Sequence, residues 1–133
     1  MTNTPKFNAI GTAVADMAAS LAFYRSLGLD VPDGADGEPH VEIPLTSGVK
    51  LMLDTYDTVQ AFEPGWTPPE RGQMSLAFEC ATPADVDESY ATMTAAGHHG
   101  HLAPWDAFWG QRYAVVHDPD GNAIDLYATL PSA

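Results

Sequence analysis

A single cysteine, Cys80, stands among 133 residues. That scarcity excludes an intrachain disulfide and a zinc site built from thiolates. Cys80 lies in an apolar run and is expected to pack as a small buried hydrophobe. Positive charge is nearly as scarce: five Lys and Arg face eighteen Asp and Glu, a net charge of -13. Such a surface repels nucleic acid and anionic membranes and favours a cationic small molecule. No apolar run is long enough to span a bilayer and no leader segment is recognisable, so a cytoplasmic location is expected. No serine or cysteine sits in a nucleophile motif, so no catalytic residue is assigned.

What is present is the composition of a folded domain, 45% apolar with three Trp. A chain of this length buries roughly two-thirds of its unfolded surface. One domain, 1–133, is expected. Lys6 to Ala15 reads as a buried strand. Asp16 caps a helix from Met17 to Leu27, with Met17, Leu21, Tyr24 and Leu27 on one stripe and Gly28 as its stop. Asp30 to Pro39 is a turn-rich connection. Val41 to Leu45 and Val49 to Leu53 form a hairpin in which Pro44 belongs on an edge or at a bulge. A short helix capped by Asp54 or Thr55 and running through Phe62 precedes a proline-rich segment carrying Trp66, read as a linker, a lid or both. Met74 to Cys80 is a strand, and Pro83 opens a helix that stops at Gly97.

Asp16 and Asp85, Ser20 and Ser89, Gly28 and Gly97 stand at a common offset. The chain therefore reads as an approximate β-α-β-β(-β) repeat. The modules cover about 5–62 and 73–130.

The stretch from Trp105 to Leu126 carries the strongest local pattern. Asp118-Pro119-Asp120-Gly121-Asn122 is a tight turn between two β-rich segments, Arg112 to His117 and Ala123 to Tyr127. Trp105, Phe108 and Trp109 crowd the entry to the hairpin. This hairpin, together with Val14-Ala15-Asp16 through Tyr24 and Leu27-Gly28, resembles the glyoxalase/bleomycin-resistance/dioxygenase (vicinal oxygen chelate) superfamily. Within it the final segment is most similar to mitomycin-binding resistance proteins. The resemblance implies an α+β fold of two βαβββ modules around a cupped mixed sheet, and a homodimer.

Enzymes of that superfamily hold a divalent metal on inward-facing strand positions. By the resemblance those positions fall on Ala9, on Leu51 or Met52, on Ser75 and on Asp125. Three of the four lack an imidazole or carboxylate, so a metal-free protein without Zn, Ni, Mn or Fe is expected, and no cofactor. Asp125 either bonds a ligand or is satisfied by its neighbours. His98, His99 and His101 follow a glycine stop and read as a solvated turn rather than a metal cluster. His40 and His117 read as hydrogen-bonded structural residues.

Binding without a metal rests on shape and stacking. The candidate ligand-binding residues are Trp105, Phe108, Trp109, Tyr113 and Asp125 at the final hairpin, and Leu53, Tyr56 and Trp66 in the middle. Relatives in the mitomycin branch carry an aromatic where this chain has Leu53. Two aromatic clusters, the second including Phe62, are expected to sandwich a flat ring. The implied function is sequestration of a planar antibiotic; the other reading is a lyase, isomerase or dioxygenase acting on a small metabolite.

Overall fold

The computed structural model describes residues 3–132. The chain divides at Pro68/Pro69 into two compact units. The first holds β1 (Ala9–Val14), α1 (Met17–Leu27), β2 (His40–Pro44), β3 (Lys50–Thr55) and α2 (Tyr56–Phe62). The second holds β4 (Ser75–Glu79), α3 (Pro83–Ala95), β5 (His99–Ala107), β6 (Gln111–His117) and β7 (Ala123–Thr129). The α+β class and the paired strand–helix modules expected from the repeat are both present.

In the first unit β1 runs parallel to β3, and β2 pairs antiparallel with the other side of β3. β2 is thus an edge strand, where Pro44 costs no ladder bond. The Asp16 side chain accepts from the Ala19 N–H, and Gly28 ends α1 at φ 103, a left-handed conformation that glycine adopts freely. The helix buries Met17, Ser20, Leu21, Phe23 and Tyr24. Val41, Ile43, Leu51 and Leu53 complete that core. Each such large apolar side chain contributes roughly 1.5–3 kcal/mol.

Two expectations are corrected here. The first strand begins at Ala9 rather than Lys6, and Phe7 is left exposed. Leu53 is fully buried, on the same sheet face as Leu51 and its partners Val41 and Ile43, so it is core and not a ligand contact.

The second unit repeats the plan with one more strand, in the order β4-β7-β6-β5, with β4 parallel to β7. The counterpart of β5 in the first unit is the loop carrying Pro32-Asp33-Gly34-Ala35-Asp36-Gly37. Proline and glycine there supply neither ladder donors nor strand propensity. The matched acids also differ in role. Thr82 caps α3 by accepting from the Asp85 N–H, so Asp85 lies in the first turn where Asp16 was the cap itself.

Candidate functional site

The sheet of the second unit has two distinct faces. α3 covers one of them: Arg112 bonds Asp87 of the helix, and a Cβ on Gly100 would overlap the Tyr90 ring and Thr94. Strand alternation sends Tyr113, Val115 and His117 of β6 to the opposite face. Their partners across the ladder, Tyr127, Asp125 and Ala123 of β7, share it. On β4, Ser75 and Ala77 pair with Ala123 and Asp125 and so lie on this face as well.

The loop that positions this hairpin is built around Asp118. Its buried carboxylate accepts from the N–H groups of Asp120 and Asn122 and from the Asn122 side-chain amide. Asn122 in turn accepts from the N–H groups of Gln73 and Met74, which fixes the entry to β4. Gly72 packs directly on the Gly121 carbonyl, leaving no room for a side chain.

An aromatic wall stands where β5 turns into β6. The Trp105 ring meets Tyr113 at 5.5 Å and Trp109 at 6.1 Å, both edge to face. Trp109 also meets Tyr113 at 5.4 Å and Phe108 at 5.0 Å. Tyr127 extends the wall, stacked on Tyr113 at 6.1 Å. Phe108 is 96% exposed and Trp109 48% exposed, so these rings are not the core. The Trp109 indole N–H donates to the Gln111 side chain at 2.8 Å, which fixes the orientation of the ring. Gly110, at φ 91, makes the turn that lets Trp109 leave the strand direction.

Behind the rings the Tyr113 hydroxyl donates to Asp125. Burial, with the Asp125 carboxylate adding to it, pushes the Tyr113 phenol up to about 12. Tyr113 is therefore a proton-bearing donor at neutral pH and not a base. The Asp125 carboxylate is thus engaged by a neighbouring side chain.

Tyr56 and Trp66 come together in the first unit, edge to face at 5.3 Å, while Phe62 is exposed. The Trp66 backbone N–H donates to the Glu63 carbonyl. The open face of that sheet carries charge rather than rings. His40 bonds Asp54 at 2.6 Å and Glu42 at 2.9 Å, and Glu42 pairs with Lys50. Two open clefts, of about 280 Å³ beside Glu42 and Lys50 and about 420 Å³ beside Glu79 and Cys80, have no aromatic lining.

The superfamily's metal positions can now be tested by their donors. Ala9 and Met52 lie on the open face of the first sheet, whereas Leu51 is core. Ser75 and Asp125 lie on the open face of the second. A methyl, a thioether, a hydroxyl and a carboxylate already engaged by Tyr113 do not fit a hard or borderline divalent cation.

The histidines depart from expectation. His99 and His101 are on β5, not in a turn, and His117 of β6 joins them. His99 pairs directly with His117 across the ladder, and a register shift between Gly100 and Leu102 brings His101 over as well. Sequence spacing concealed this, because the cross-strand partner lies eighteen positions beyond His99. Tyr127 was missed for a similar reason, since only the β6–β7 register places it beside Tyr113. Cys80 is half-buried, and burial raises its thiol despite a bond to Ser89.

The chain belongs to the Glyoxalase/Bleomycin resistance protein/Dioxygenase superfamily, whose family model matches residues 6–126. No curated protein matches it. Its fold is similar to a glyoxalase-related enzyme from Fulvimarina pelagi, with a TM-score of 0.79, 20% identity, and 95% and 89% of the two chains covered. A glyoxalase/bleomycin resistance protein/dioxygenase from Nocardioides gives 0.77 at 20% identity, covering 100% of this chain and 89% of the other. Lactoylglutathione lyase from Agrobacterium tumefaciens gives 0.68 at 21% identity, covering 96% of each. No helix of the described residues is long and apolar enough to cross a membrane.

Proposed function

We propose that this chain binds and sequesters a planar aromatic small molecule, an antibiotic of the mitomycin or bleomycin kind, without making or breaking a bond. The observation that carries the reading is the partly exposed wall of Trp105, Phe108, Trp109, Tyr113 and Tyr127 on one open sheet face. Exposed rings held edge to face lose little freedom on binding and offer flat surface to a flat ligand. Each stacking contact adds on the order of 1 kcal/mol, so micromolar affinity, about 8 kcal/mol, draws chiefly on desolvation of the ligand. The net charge of -13 favours a cationic or amine-bearing drug.

The donor set weighs against a lyase, isomerase or dioxygenase, because the positions from which the superfamily's enzymes hold their metal carry Ala9, Met52 and Ser75. A homodimer and a cytoplasmic location belong to the same proposal. The former draws on the unpaired outer edges of β2 and β5, and the latter on the use of one unpaired cysteine. The test is fluorescence. Titration with mitomycin should quench the tryptophans saturably, and the recovered drug should be chemically unchanged. Quenching that never saturates, or a converted drug, contradicts the proposal.

A further inference from the structure

Three imidazoles from two adjacent strands converge in the second unit, and none of them stands at one of the superfamily's metal positions. The ligating nitrogens of His99, His101 and His117 all lie within 4.8 Å of one another. His101 stacks on His117 with ring centroids 4.3 Å apart, and His99 lies 5.2 Å from His117. The ladder makes this arrangement: His99 and His117 are direct cross-strand partners, and His101 is two residues along the same strand. From these observations we propose that His99, His101 and His117 bind one divalent transition-metal ion of the borderline class, zinc, copper or nickel.

The chemistry of the donors selects that class. Three neutral imidazoles suit zinc, copper and nickel, whereas magnesium and calcium require oxygen ligands. A tetrahedral ion about 2.1 Å from each nitrogen needs donors about 3.4 Å apart. The rings must therefore draw inward by up to roughly 1.4 Å from their present spread. His99 and His101 are exposed, so rotation about their side-chain bonds meets no packed core.

Three protein ligands leave a fourth position for water or an exogenous group, the ligand count of catalytic rather than structural zinc. The surface raises the local concentration of cations, since the chain carries a net charge of -13. The site shares the open sheet face with the aromatic wall. His117 is four residues from Tyr113 along β6, on the order of 13 Å at strand spacing, so the metal would sit beside the rings and not among them. The inference goes beyond ligand sequestration and stands whether or not a drug binds.

The experiment uses the full chain stripped with EDTA and titrated with cobalt(II), then zinc. One cobalt per chain should give visible d–d bands of a low-coordinate site, which zinc then abolishes. Native mass spectrometry should show one zinc per chain. His99→Gln, His101→Gln and His117→Gln should each weaken zinc binding by at least roughly ten-fold. His98→Gln, on the neighbouring residue, should bind as the parent does. Circular dichroism verifies that each variant is folded, and zinc should raise the melting temperature of the parent and of His98→Gln but not of the trio variants. The proposal is overturned if no zinc binds at micromolar concentration, or if the trio variants retain parental affinity while folded.

Discussion

Trp109 separates a binding wall from a piece of core. It is about half exposed, and its indole is held by the bond to Gln111 and by edge-to-face contacts with Trp105, Phe108 and Tyr113. Trp109→Ala should weaken mitomycin binding by roughly 1.5–3 kcal/mol, because buried area and stacking are both lost. Unfolding free energy should fall by less than the roughly 3–5 kcal/mol typical of a truncated core tryptophan. Normal binding with a collapse in stability would place the ring in the core instead. Tyr113→Phe removes the hydroxyl bond to Asp125 and should cost about 1 kcal/mol of stability, while the retained ring keeps most of the binding. That the rings of the hairpin gather was legible, because Trp105, Phe108 and Trp109 stand within five residues in a glycine-broken segment. Leu53 was misplaced because one residue of strand phase decides between the two faces, and only the ladder to Val41 fixes that phase.

Two histidines titrate in opposite senses. Hydrogen bonds to Glu42 and then Asp54 raise His40 above its ordinary 6.5. Its contribution to stability is fully present below that value and is lost as pH rises through the higher folded one. Burial lowers His117, so the folded state resists its protonation, and stability falls as pH drops from 6.5 towards the lower folded value. Ring-proton NMR of the metal-free chain should show His40 titrating above 6.5 and His117 below it. The reverse order would refute both environments.

At the scale of elements, the final hairpin depends on the turn at Asp118. Asp118→Ala leaves the Asn122 N–H and side-chain amide without their buried acceptor. It should therefore cost at least about 2 kcal/mol in chemical denaturation, since each orphaned donor carries roughly 1–3 kcal/mol. A loss below 0.5 kcal/mol, within the usual range of a surface substitution, would mean that the strands alone hold the register. Helices and turns were legible because their signals are local: Asp16 and Gly28 bracket α1 as read, and Pro83 opens α3. The strand after Gly97 was not. His98, His99 and His101 are polar and flank a glycine, yet β5 forms because β6 offers an edge to pair with. Tertiary pairing outweighed local preference there.

For the whole molecule, the repeat foretold two modules, and their unequal strand number follows from the proline and glycine between α1 and β2. The edge strands remaining in each unit lead to the expectation of a dimer by light scattering at micromolar concentration; a monomer there would contradict it. The central claim, that an aromatic face captures a flat drug intact, is met most directly by native mass spectrometry after EDTA dialysis. The parent chain should be compared with the Trp105→Ala/Trp109→Ala double variant in the presence of mitomycin. The account predicts one drug of unaltered mass on each parent chain and none on the folded double variant. Equal occupancy of the two proteins, or a drug of changed mass, would contradict it.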